Sequence, residues 1–292
     1  MAQTDEIESG SPSKPERPAS GPAPPVLLLI PDEGPLDGPA TVAYALAADE
    51  CGEVLATRVV SVPEQTPLSL AAEKRESLRA SVSEAIDAMS TNERTTPARG
   101  LVRIGRTWSR IVAETATDHD VTTIVTSPPR DRRSASLFRR SAIDRLQART
   151  DCRLVVTNAS SGFTDASSIL VPVAGGPHSE AALDVARALG VSLDAWIDVL
   201  HVVEPETQNE PDPAQPYFEA AADQLDGYRE WDSWKLEAED VGETIAEQST
   251  YYDATILGAP RRSYLKQLVF GSTTTDVRAN ADGAILTVRS RR

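Results

Sequence analysis

The sequence predicts an α/β protein made of two tandem, doubly wound parallel sheets of five strands each. Three observations lead there. Short, wholly apolar runs alternate with amphipathic stretches, the pattern of strands covered on both faces and joined by crossover helices. That order, βαβαβαβαβ, runs through the chain twice. Finally, Ser127–Thr157 lies on Gly258–Val288 at a constant step of 131 residues without a gap, so that Pro129 meets Pro260, Leu137 meets Leu268 and Asp151 meets Asp282. A period this long signals two copies of one domain rather than a solenoid.

Each element follows from its own pattern. Residues 1–25 carry six prolines between Pro12 and Pro25 with almost no large apolar side chain, the composition of a disordered tail. Val26–Ile30 is an apolar run stopped by Pro31, a buried first strand. Thr41–Asp49 has helical spacing and Gly52 ends it; Val54–Val62 is the second strand. Leu70–Met89 is a longer amphipathic helix with Leu78, Val82, Ile86 and Met89 on one face. Strand Arg99–Ile104, helix Trp108–Thr117, strand Val121–Thr126, helix Ala142–Arg149 and strand Arg153–Thr157 complete a first domain, 26–158. The polar stretch 159–166 reads as a linker.

The second domain, 167–292, repeats the order. Strand Ile169–Val173, helix Ser179–Leu189 and strand Ala195–Val203 lead into an acidic loop, Glu204–Pro216, with four prolines. A helix from Tyr217 to Tyr228, a short strand at Trp234–Glu237, helix Val241–Gln248 and strand Ala254–Leu257 follow. A glycine-containing segment then opens a helix at Gly271, and strand Ala284–Val288 closes the domain.

Composition narrows the function classes. A net charge of −15, with four lysines among 29 basic residues, describes an acidic, heavily hydrated surface suited to a high-salt cytoplasm. It argues against a nucleic-acid binder, which needs positive charge on one face. The longest apolar run near the N-terminus, Val26–Ile30, is far too short for membrane insertion or a signal core, and a cytoplasmic location is expected. Cys51 and Cys152 lie far apart without metal-ligand spacing and are expected to be small buried or half-buried side chains. His119, His178 and His201 have no companion at ligand or triad spacing, and Ser141 and Ser272 lack a nucleophile-elbow context. No acid/base pair or metal site is visible, so no catalytic residue is assigned. Arg130–Arg149 carries seven arginines against two aspartates, a basic patch that could dock an acidic protein partner or serve as a solvated face.

The segment Ile256–Thr275, ILGAPRRSYLKQLVFGSTTT, concentrates the candidate site. Strand ends and helix starts present backbone N–H groups outward, which suits a phosphate. Gly258, Gly271, Ser272 and Thr273 would supply amides and hydroxyls, with Arg261, Arg262 and Lys266 around them. In open parallel sheets ligands bind beyond the carboxyl ends of the strands where strand order reverses. There this loop meets Ala174-Gly175-Gly176, which follows the first strand of the second domain.

These residues resemble the universal stress protein family in a tandem two-domain arrangement, over roughly Val26 to Arg289. ILVPVAGGPHSEAALDVARAL at Ile169–Leu189 is similar to the family's first strand and helix, and VLHVVEP at Val199–Pro205 to its second strand. ILGAPRRSYLKQLVFGSTT is similar to its glycine signature, G-x2-G-x9-G-[ST], at matching spacing. The resemblance implies a Rossmann-like fold of the adenine nucleotide alpha-hydrolase type. It also implies a stress-linked regulatory role without catalysis, and ATP or another adenine nucleotide held in the second domain by Ala174, Gly175, Gly258, Arg261, Gly271, Ser272 and Thr273. Two positions depart from the family pattern: Arg261 replaces the second signature glycine, and Ala174 stands where an acidic residue is expected. In the first domain Ser127, Arg130 and Arg140 occupy all three glycine positions, so no nucleotide is expected there. Family members pair through their last strands, which implies that Arg153–Thr157 and Ala284–Val288 pair antiparallel within the chain and relate the two domains by an internal pseudo-twofold. The alternative reading is a nucleotide-free interaction module regulating a partner such as a membrane transporter.

Overall fold

A computed structural model describes residues 23–32, 34–65, 75–89, 96–127, 137–157, 164–203, 205, 214–259 and 283–291. Expectations for the tail 1–22, the linker 158–163, the loops at 128–136 and 206–213 and the segment 260–282 lie outside them.

The ten strands of the described residues form one sheet in the order β3-β2-β1-β4-β5-β10-β9-β6-β7-β8. The first five are β1 (Val26–Ile30), β2 (Val54–Ser61), β3 (Ala98–Gly105), β4 (Thr123–Thr126) and β5 (Arg153–Thr157). The second five are β6 (Ser168–Pro172), β7 (Trp196–Val203), β8 (Trp231–Glu237), β9 (Ala254–Gly258) and β10 (Ala284–Arg289). Each half reads 3-2-1-4-5, and the second is the mirror of the first in strand order. Pairing is parallel within each half, as crossover helices require, and antiparallel at the β5–β10 seam. At that seam Val156 stands opposite Thr287, its counterpart at the 131-residue step of the sequence repeat. A twofold relation between the halves therefore passes through this pair. The expected antiparallel pairing of the last strands is what the structure has, and it removes two apolar edges that would otherwise invite aggregation.

The described helices are α1 (Asp37–Asp49), α2 (Arg75–Met89), α3 (Trp108–Asp118), α4 (Leu137–Gln147), α5 (Pro177–Leu193), α6 (Gln215–Gln224) and α7 (Val241–Gln248). Several begin earlier than expected, two of them for one reason. Pro39 in α1 and Pro177 in α5 sit in the first turn, where a missing N–H costs nothing and a fixed φ favours the helix. Asp240 caps α7, its side chain accepting from the Glu243 N–H at 2.9 Å. Cys51, expected to be buried or half-buried, is exposed: with φ 54° it forms the left-handed turn after α1 and points to solvent.

The core is shared unequally between the two faces. On one, α1 and α5 lie side by side over the seam, and Leu28, Leu46, Val155, Leu189 and Val288 belong to one apolar cluster drawn from both halves. On the other, Leu27, Ile124, Ile143 and Leu154 form a cluster belonging to the first half. Charged contacts also cross the seam. Arg187 Nη2 donates to Asp49 Oδ2 at 2.8 Å, and Arg153 reaches Asp184 at 3.5 Å and Glu50 at 3.9 Å. Arg289 pairs with Asp144 at 2.9 Å.

Candidate functional site

The site is built at the carboxyl ends of β6 and β9, the central strands of the second half. After β6 the chain turns through Gly175 (φ 75°) and Gly176 (φ 79°), both in the left-handed region that glycine alone enters without strain. Pro177 then starts α5, a 17-residue helix whose N-terminus faces the strand ends. Ser179 ties the turn together: its hydroxyl accepts from the Ala174 N–H at 3.2 Å and lies 3.2 Å from the Gly175 carbonyl, to which it donates. Thus the first turn of α5, with its positive dipole end, is held against the loop that the sequence singled out.

Gly258, the last residue of β9, closes the other side. A Cβ on it would lie 2.8 Å from the His178 carbonyl carbon and oxygen and 3.0 Å from the Ser179 nitrogen. Glycine is therefore required here for close strand–helix approach. The structure brings Ala174, Gly175 and Gly258 to one corner. Arg261, Gly271, Ser272 and Thr273 lie outside the described residues, as do the basic loop positions Arg130, Arg132 and Arg133.

His178 and His201, read from sequence as structural, both bound this corner. Ser290 donates from its backbone N–H to His178 Nδ1 at 3.1 Å, so that nitrogen carries a lone pair rather than a proton. His201 Nδ1 lies 2.8 Å from the Val173 carbonyl oxygen and must carry the proton that bonds to it. Its ring stacks at 4.4 Å, tilted by 36°, on Tyr217 of α6. Tyr217 in turn covers Gly175, with a ring carbon 2.6 Å from where a Cβ would sit. Sequence spacing could not place Tyr217 here, because a long loop separates it from β7 and the contact exists only after α6 folds back.

The corresponding corner of the first half differs. Val26 pairs with Val54 and Ser168 with Trp196, so the first two strands of each half match at a step of 142 residues and Asp32 falls on Ala174. The carboxylate absent after β6 is therefore present after β1. It is taken by Arg58, 3.0 Å away on β2, which also donates to the Pro31 carbonyl. Among the described residues, no group of His, Cys, Asp and Glu could hold a metal ion, and no helix is long and apolar enough to cross a membrane.

The fold has solved counterparts. A universal stress protein from Archaeoglobus fulgidus DSM 4304 superposes with a TM-score of 0.57 at 13% identity, covering 92% of this chain and 97% of that one. The cytoplasmic domain of a prokaryotic cation chloride cotransporter superposes with 0.54 at 9% identity, covering 92% and 96%. A putative universal stress protein from Pseudomonas aeruginosa UCBPP-PA14 gives 0.54 at 14% identity, covering 91% and 93%. At such identities the likeness is one of fold. No curated protein matches the chain by sequence. The second half of the sheet, with its glycine corner, does carry a family signature: residues 166–289 match the model of the Universal stress protein family.

Proposed function

We propose that this chain is a regulatory universal stress-type protein of two units, 26–158 and 167–292, working in a salt-rich cytoplasm, whose second unit binds ATP or another adenine nucleotide. The observation that carries the reading is the fit of Gly258 against the start of α5. It sets the end of β9, the double-glycine turn and a helix N-terminus around one point, and a helix start beside a glycine turn suits a phosphate. Arg261, Gly271, Ser272 and Thr273 follow Gly258 at the family's spacing and would complete the phosphate contacts. Ala174 leaves the ribose side without a carboxylate, and the Asp32 carboxylate of the first unit is engaged by Arg58. This supports one site per chain. Among the described residues no acid/base pair accompanies the corner, and the role proposed here is sensing rather than turnover.

Tyr217 favours a second reading. Its ring covers Gly175, where a bound base or ribose would approach, and a sealed corner suits a nucleotide-free module that regulates a partner such as a transporter. The likeness in fold to the cotransporter domain agrees with that role by analogy. Equilibrium binding of ATP–Mg in high salt separates the two. Saturable binding lost in Gly271→Asp supports the sensor; no binding at millimolar ATP supports the module.

A further inference from the structure

We propose that residues Gln3–Ser9 of the N-terminal tail add to the sheet as a further strand, antiparallel along the outer edge of β3, with Ile7 seated between β3 and α2. β3 ends the sheet on the side of the first half. Its inner side serves β2: the Val54 N–H donates to the Pro97 carbonyl at 2.9 Å and the Val62 N–H to the Gly105 carbonyl at 2.8 Å. In a parallel ladder one residue sends both N–H and C=O to one neighbour and the next sends both the other way. Odd-numbered residues from Pro97 to Gly105 therefore face β2, while Ala98, Gly100, Val102 and Ile104 present their backbone groups outward. Among the described residues none bonds to these groups, and Gly100 is exposed. An edge of this kind is a template for an extended segment.

Beside the edge lies an open groove of about 350 Å³, walled by Arg79, Val82 and Ile86 of α2 and by Gly100 and Val102 of β3. Gly100 faces the helix, since a Cβ on it would lie 2.6 Å from Val82 Cγ1. Side chains alternate along a strand, so Ala98, Val102 and Ile104 share that apolar face and Arg99, Leu101 and Arg103 the other. A crossover helix runs against its strand, which sets Arg79, one turn before Val82, toward Val102. Arg79 is exposed, and its contact with Glu76 is long, at 3.8 Å. Arg99 and Arg103 are each held by one carboxylate, Glu53 and Asp118, which leaves other N–H donors on each guanidinium.

The start of this chain fits the edge in position, charge and backbone. The described residues begin at Ala23, and a Cβ on Gly52 would lie 2.8 Å from the Pro24 carbonyl oxygen. The tail therefore enters the sheet where β2 and β3 both begin, Val54 being opposite Ala98. Its first proline is Pro12, so every residue of Gln3–Ser9 keeps its N–H. Ile7 is the one apolar side chain of that segment, among Asp5, Glu6 and Glu8. With Ile7 opposite Gly100, Asp5 and Ser9 exchange backbone bonds with Val102 and Ala98. Ile7 then enters the groove, Asp5 lies on the side of Arg79, Glu8 faces Arg99 and Glu6 stands between Arg99 and Arg103. Antiparallel pairing brings Ser9 to the end of β3 nearest Ala23. Residues 10–22 reach about 40 Å when extended, against about 10 Å for two strand spacings. Such a tether holds the segment at an effective concentration on the order of millimolar, so weak docking suffices. The tail is thereby a strap over an edge that would otherwise pair with other chains.

The test is amide hydrogen exchange on the full chain, read residue by residue by nuclear magnetic resonance. The outward amides of Gly100 and Val102 should exchange about tenfold or more slower in wild type than in Ile7→Asp or Ile7→Pro. The first variant puts a charge in the groove, and the second removes an N–H that bonds to Gly100. Leu101 and Arg103, whose amides serve β2, should exchange alike in all three proteins, which shows that the sheet is intact. Ile7→Val should keep most of the protection. The mass by sedimentation equilibrium should be the same for wild type and Ile7→Asp, as a contact within one chain requires. Outward amides as fast in wild type as in Ile7→Asp overturn the proposal. Protection that survives both substitutions also overturns it, by assigning the edge to another occupant. So does a mass that halves in Ile7→Asp, which assigns the edge to the tail of a second copy.

Discussion

Gly258 packs directly on the carbonyl of His178: a Cβ there would stand 2.8 Å from that oxygen, with backbone on both sides of the contact. No side chain can swing aside to make room. Gly258→Ala should force β9 and α5 apart, costing about 1–3 kcal/mol in urea unfolding. If the corner binds nucleotide, the same variant weakens ATP binding, read by calorimetry on the fraction that remains folded.

At the opposite end of the same strands, Asp253 Oδ2 accepts from the backbone N–H and hydroxyl of Ser167 and of Ser168, at 2.8 to 3.0 Å. Burial alone would raise this carboxyl, but the hydrogen bonds from Ser167 and Ser168 outweigh it and hold its pKa below the usual value. A depressed folded pKa contributes stability that is present above the unfolded pKa and lost as pH falls through the folded one. Asp253→Asn should therefore be less stable than wild type at neutral pH, by up to about 1 kcal/mol because solvent screens this exposed carboxylate. The gap should narrow on acidification below pH ~4. Urea midpoints across pH measure it.

Arg153 sits 15% exposed between Asp184 and Glu50, joining the first residue of β5 to α5 and to the end of α1. Burial raises the pKa of Asp184, with Arg153 and then Arg187 pulling it back. For a carboxyl raised on folding, stability falls as pH rises from the unfolded pKa through the folded one. Arg153→Met removes the cation shared by Glu50 and Asp184 and leaves Asp184 with Arg187 against the like charges of Asp49 and Glu180. It should cost about 2 kcal/mol, less than for a fully buried pair because Asp184 is 35% exposed. The loss should be greatest above the carboxylate range, which thermal unfolding at pH 4 and pH 7 distinguishes.

The two cysteines should differ sharply in reactivity. Cys152 is buried, its thiol pushed up by desolvation with a partial offset from Thr150, and its Sγ donates to the Val121 carbonyl at 3.0 Å. Cys51 is exposed at the end of α1. Iodoacetamide on the native protein should label Cys51 alone, with Cys152 reacting only after unfolding, as peptide mass spectrometry will show. Equal labelling would mean that the β4–β5 end opens readily.

The double-wound order was legible because it rests on local patterns. Val26–Ile30 and Arg153–Thr157 match their expected bounds, since apolar runs that short have few alternatives. Misjudged starts, such as Asp37 for Thr41 and Trp231 for Trp234, fall where a first-turn proline or an exposed edge strand breaks the hydrophobic period. Within the site, the glycines announced themselves by residue type, whereas Tyr217 and the Arg58–Asp32 pair are long-range contacts with no period to reveal them.

Sequence by itself determined which segments are strands, that their order occurs twice, and which glycines of the later copy are candidates for the corner, because backbone sterics and burial period act over a few residues. Tertiary structure alone decided that Val156 meets Thr287, that α1 and α5 share one core across the seam, and that Tyr217 covers Gly175. Those outcomes depend on how residues distant in the chain fill common space. Loop closure between them costs entropy but leaves no mark on local pattern.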